Sequence, residues 1–223
     1  MRGMAAMPVL VGQYDSPFVR RVAVALHHYG VGFERRVLST FADFDVMLEL
    51  SPLGKVPVFI PADGELLWDS RAILDFLHGQ APRDRLLLPR EGQERRRVLR
   101  IEAVALGLAE KAYERGVEFS RRAAGTRDPA WIARLERQIA SALAWLEGVR
   151  PNPFLAGQAF SVADITGAVA FTYLASKGPQ LAPPEAYPAL ELHTAACEAT
   201  PAFQAAPYSA TEAERSGWRP ETA

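Results

Sequence analysis

Cysteine is nearly absent, with Cys197 alone in a chain of 223 residues. A single thiol excludes an intramolecular disulfide and a cysteine-based metal cluster, and such scarcity suits a reducing compartment, so the cytoplasm is the expected location. Charge of one sign is lacking too: 25 Lys plus Arg stand against 26 Asp plus Glu. That balance leaves no net field to track nucleic acid or an anionic membrane, and small molecules are the expected partners. No apolar run approaches the roughly 18 residues of a membrane span, and the opening Met1-Arg2-Gly3-Met4-Ala5-Ala6-Met7 lacks the continuous apolar region of a signal peptide. His27, His28, His78 and His193 show no metal-ligand spacing, so no metal is expected. What the chain does possess is apolar surface, 49% hydrophobic residues, enough for one large domain or two small ones.

The first 80 residues alternate strand and helix signals. Val9-Leu10-Val11-Gly12 reads as a short buried strand, and Pro17 at a first helical position opens a helix with Val19, Val22, Ala23 and Leu26 at helical spacing, ended by Gly30 and Gly32. Phe33 to Leu38 reads as a second strand despite its charges, and Phe44 to Leu50 as a short helix stopped by Pro52-Leu53-Gly54. Val58-Phe59-Ile60 and Leu66-Leu67-Trp68 flank Asp63-Gly64, a hairpin signal, and Ser70, Ile73, Leu74 and Leu77 then share one face of a helix. The sum is βαβ-αββα. Beyond the Pro- and Arg-containing stretch at 81–92 no strand signal remains, and long amphipathic patterns at 98–112 and 132–146 predict helices. Ser161 and Asp164 mark a further helix start, residues 189–199 another helix, and the Pro- and polar-rich stretch from Pro201 reads as extended. The expected fold class is α/β plus all-α: an N-terminal α/β domain at 8–82, a linker at 83–92, an all-helical domain at 93–207 and a C-terminal tail at 208–223.

Three short segments carry chemistry. Ser16, in Ser16-Pro17-Phe18-Val19-Arg20-Arg21, sits where the first strand hands over to the first helix, so its hydroxyl lies at the positive end of a helix whose first N–H groups have no internal partner. A thiolate suits that place, and an ordinary N-cap is the alternative use of the same atoms. In Lys55-Val56-Pro57-Val58, Pro57 is either a cis proline in a tight turn or a trans proline starting a strand. In Asp69-Ser70 the Ser70 hydroxyl and a helix's free N–H groups can hold a carboxylate while Asp69 accepts from an ammonium; capping is again the alternative.

Order and spacing together describe a thioredoxin-like module, and from Pro8 to about Pro207 the chain resembles the cytosolic glutathione transferase family. The Ser-Pro-Phe start of the first helix resembles bacterial and tau-like serine-type members. The resemblance implies a thioredoxin-like domain followed by an all-helical one, a homodimer, and glutathione as co-substrate. It implies Ser16 as the thiolate-stabilising residue, with Tyr14 the local competitor because other classes use a tyrosine of this loop. It also implies that Pro57 is cis and that the main chain of Val56 pairs with the cysteinyl unit of glutathione, with Lys55 near the glycyl carboxylate. Asp69 and Ser70 would hold the γ-glutamyl end, where the family more often has Glu-Ser or Gln-Ser. Tyr14, Phe18, Leu106 and Tyr113 are candidates for the wall of an apolar second-substrate pocket. Of Arg20 and Arg21, one is expected to face solvent. The activity implied is transfer of glutathione to an electrophilic apolar small molecule; a glutathione-dependent isomerase or peroxidase, or a non-catalytic binding module, is the alternative.

Overall fold

The computed structural model describes residues 6–215 and Gly217. The described chain divides into two compact units, one of residues up to Leu86 together with Pro201–Gly217, the other of Leu87–Thr200.

In the first unit, strand β1 (Val9–Val11), helix α1 (Pro17–Tyr29), strand β2 (Glu34–Arg36), helix α2 (Phe44–Leu50), strands β3 (Val58–Ile60) and β4 (Leu67–Trp68) and helix α3 (Ser70–Gln80) follow in order. The sheet order is β2-β1-β3-β4. β1 pairs parallel with β2, Val9 opposite Glu34, and antiparallel with β3, Leu10 opposite Phe59. β3 and β4 form the expected antiparallel pair, Phe59 opposite Leu67. This is a thioredoxin-like arrangement. β2 tolerates its charges because it lies at the edge of the sheet, where Glu34 and Arg36 are exposed. α1 starts at the Ser16 cap with Pro17 behind it and stops at Gly30, whose φ of 72° supplies the left-handed turn that releases the chain.

In the second unit, α4 (Gly92–Arg121), α5 (Pro129–Val149), α6 (Val162–Lys177) and α7 (Pro188–Glu198) make a helical bundle. α6 is apolar all round and almost wholly buried, the pattern of a central helix. Asp164 fixes its start: one carboxylate oxygen accepts from the N–H and the hydroxyl of Ser161 at 2.8 and 2.7 Å, the other from Leu155 N and His193 Nε2 at 2.7 and 2.9 Å. Four donors on one fully buried carboxylate leave the charge satisfied.

Two expectations are corrected. The chain after Pro201 is not extended: it forms α8 (Pro201–Gln204) and α9 (Ala210–Arg215) and belongs to the first unit. Neither Arg20 nor Arg21 faces solvent; each is only 1% exposed. The returning tail covers Arg20, and α3 covers Arg21. Arg20 Nε donates to the carbonyl of Ala206 at 2.8 Å with its guanidinium over the ring of Phe203, and Arg21 turns toward α3.

Candidate functional site

Ser16 is the N-cap of α1, with extended backbone (φ −73°, ψ 122°) and a half-buried side chain. Its Oγ accepts from the N–H of Val19 at 3.4 Å. A hydroxyl has one proton and two lone pairs, so this contact occupies a lone pair and leaves the O–H to donate. The donor therefore stands at a helix N-terminus, where partial positive charge favours an anion.

Two other predicted segments lie close to this helix. A Cβ on Gly12 would sit 2.5 Å from Val19 Cγ2 and 3.0 Å from Val56 Cβ, so the end of β1, the first turn of α1 and Val56 meet where no side chain intervenes. The Val56–Pro57 peptide is cis, Pro57 is buried, and Lys55 is exposed. Ser70 opens α3 in a buried position, and its Oγ accepts from Arg21 at 3.1 Å, tying the start of α3 to α1. Asp69 is exposed and adopts φ 69°, ψ 133°, a conformation in which a non-glycine residue is strained. Its Oδ1 accepts from Arg71 N at 2.8 Å, so the carboxylate caps α3.

Tyr14 is buried. Arg35 stacks its guanidinium 3.4 Å from the ring centroid, and the Tyr14 N–H donates to Glu212 of α9 at 2.6 Å. Burial raises the phenol's pKa; Arg35 opposes that shift and Glu212 adds to it, so the hydroxyl remains protonated around neutrality. Phe18 is half-buried on α1. Leu106 and Tyr113 belong to the other unit, both on α4: Leu106 is buried and Tyr113 is 40% exposed. Burial also raises the phenol pKa of Tyr113, with Arg121 opposing. Among the described residues no group of three or more His, Cys, Asp or Glu is placed to hold a metal ion.

Two residues at this site were not assigned from sequence. Arg21 was visible beside the Ser-Pro-Phe segment, but helical spacing does not say which of two adjacent arginines turns inward. Glu212 carried no signal, since its partners are 177 to 199 positions away.

The family pattern described as "Glutathione S-transferase, N-terminal domain" matches residues 10–85, and that described as "Glutathione S-transferase, C-terminal domain" matches residues 129–196. The GST-like protein YibF of Escherichia coli K12, itself described as uncharacterized, is 33% identical over 167 residues, 74% of this chain and 81% of the relative. Among solved structures, a glutathione S-transferase from Methylobacterium radiotolerans in complex with glutathione sulfonate superposes with a TM-score of 0.84 at 27% identity, covering 92% of this chain and 96% of the other. A family member from Pseudomonas fluorescens Pf-5 with bound glutathione gives a TM-score of 0.80 at 30% identity, with 91% and 99% covered. A thioredoxin-like unit, a helical unit after it, and both domain patterns in the same order place this chain in the glutathione S-transferase family.

Proposed function

We propose that this protein is a serine-type glutathione transferase, in which the Ser16 hydroxyl donates to the glutathione sulfur and holds it as the thiolate for attack on an electrophilic apolar small molecule. The observation that carries this reading is the state of the Ser16 Oγ, which accepts from the first turn of α1 and so has its proton to give. An unperturbed thiol has a pKa of about 8.5, leaving only a few per cent ionised at neutrality. A charge-assisted hydrogen bond and a helix end together supply the roughly 2.7 kcal/mol that lowers it by about two units. The thiolate then forms a C–S bond to the acceptor carbon as the leaving group departs with its electron pair; no protein base is required.

The remaining binding roles follow the chemistry of each residue. The main chain of Val56 pairs with the cysteinyl unit in the manner of an added strand. The mouth of α3, with Ser70 and the Asp69 carboxylate, receives the γ-glutamyl group, and Lys55 receives the glycyl carboxylate. Of the candidates for contact with the apolar acceptor, Phe18 is half-buried and Tyr113 is 40% exposed, whereas Tyr14 and Leu106 are buried within their own units. The protein is proposed to act as a homodimer in the cytoplasm.

Ser16→Ala tests the reading. The variant should bind glutathione nearly as well, while the bound thiol's pKa rises by about 1.5 units, the helix end keeping its share, which lowers turnover up to about thirtyfold at pH values below the wild-type pKa. The deficit should shrink as the pH rises through the wild-type pKa and be nearly gone beyond about 8.5. An unchanged rate across the pH profile removes Ser16 from the mechanism.

A further inference from the structure

We propose that Glu212, on the C-terminal helix α9, is a positioning residue for Ser16: its carboxylate fixes the loop from which the serine hydroxyl is presented. This rests on the role of Ser16 proposed above.

The loop Gln13–Asp15 joins β1 to the Ser16 cap and is buried throughout. Glu212 holds it from two sides. Its Oε2 accepts the main-chain N–H of Tyr14 at 2.6 Å, and its main-chain carbonyl accepts from Gln13 Nε2 at 2.5 Å. Both contacts fall within three residues of Ser16. The carboxylate is itself held, because Arg35 of β2 donates to both of its oxygens at 2.9 Å while its guanidinium lies on the Tyr14 ring. Tyr14 is thereby fixed at its amide and at its ring by one ion pair. An ionised acceptor on a main-chain N–H makes a stronger bond than a neutral one, so the loop is held by charge-assisted contacts.

Two further contacts hold the returning tail on the first unit, one from α9 to the start of α2 and one from α1 to the chain before α9. Arg215, one turn beyond Glu212, reaches both oxygens of Asp43 at 3.0 Å. Arg20, four residues beyond Ser16, donates to the Ala206 carbonyl, and Phe203 beside it is fully buried. The tail thus grips the chain on both sides of Ser16, at residues 13 and 14 before it and at residue 20 after it. A hydroxyl must meet the sulfur within hydrogen-bond distance in a narrow range of angles, and a shift of a few tenths of an ångström in this loop spoils that geometry.

The experiment follows ionisation of bound glutathione by the ultraviolet absorbance of its thiolate across pH, together with turnover. It compares the full-length protein with Glu212→Ala, Glu212→Gln, Ser16→Ala and the Ser16→Ala/Glu212→Ala double variant. Glu212→Ala should raise the bound thiol's pKa by about one unit and lower turnover in step, with KM for glutathione within about twofold. Glu212→Gln, which keeps an acceptor for the Tyr14 N–H, should restore part of the shift. If Glu212 acts through the serine hydroxyl, the double variant should be no worse than Ser16→Ala alone. A wild-type pKa in Glu212→Ala, or an additive double variant, overturns the positioning role while a shifted Ser16→Ala keeps the serine's own. No shift in Ser16→Ala overturns both. Should Glu212→Ala fail to fold, Glu212→Gln decides: a wild-type pKa profile there overturns the role.

Discussion

Cys197 lies on α7 with its sulfur 3.6 Å from His193 Nε2, and the same nitrogen is 2.9 Å from the Asp164 carboxylate. A cysteine, a histidine and an aspartate in a row suggest a nucleophile, but the surroundings oppose one. Burial, and after it the negative charges of Asp164 and Glu198, push the thiol up to about 12. The reactive species is the thiolate, and at about pH 8 only about one molecule in ten thousand would carry it. Thiol reagents should therefore leave the native protein unmodified near pH 8 and titrate one cysteine after denaturation. Rapid stoichiometric labelling of the native state would show that the environment of Cys197 has been misread. Arg20 and Arg21 show the limit of sequence reading at this scale. Arginine on a helix reads as a solvated side chain unless its partners are visible. Here the partner of Arg20 is a carbonyl 186 positions away, and that of Arg21 is a serine on another helix.

Helix α1 joins sequence to chemistry most directly. Its limits were legible because each has a local cause, the Ser16-Pro17 start and the Gly30 stop. The three chemical segments were legible for the same reason, since each lies at an element boundary marked by proline, serine or glycine. The close approach of the first two depends on Gly12, which has φ 134° and no room for a Cβ against Val19 and Val56. Gly12→Ala should accordingly cost about 1–3 kcal/mol from backbone strain together with the forced separation of α1 and Val56. The measurement is denaturant unfolding, with Gly12→Ala/Val19→Ala beside it. The second substitution should recover only part of the loss, because it removes the Val19 Cγ2 contact and leaves the strained φ. Full stability in Gly12→Ala would mean that the segments are not pressed together as described. Short tail helices such as α8 and α9 were beyond pattern reading. At 4 and 6 residues they offer no periodicity, and what orders them is docking on α1 and β2.

The division into an α/β part and a helical part was plain from composition alone, because strand signals cease after the first 80 residues. What composition hid is that the first unit is discontinuous in the chain, completed by its last described residues. That unit also carries Phe44, Leu48, Trp68 and the 71% exposed Leu53, a set of large apolar side chains open to solvent. A homodimer, as proposed above, would have large apolar side chains of this kind to bury. Leu53→Glu should shift the protein to a monomer in sedimentation or light scattering, with secondary structure retained. A wild-type protein that is monomeric at micromolar concentration, or a variant that stays dimeric, would remove this face from the interface.

The docking of Glu212 on the loop before Ser16 also sets the order of events during synthesis. The first 86 residues can begin to collapse on the ribosome, yet the clamp that orders their active loop emerges roughly 125 residues later. At typical elongation rates that gap lasts about 6–25 s. Throughout it the nascent chain should hold the loop before Ser16 without the Glu212 contacts that fix it.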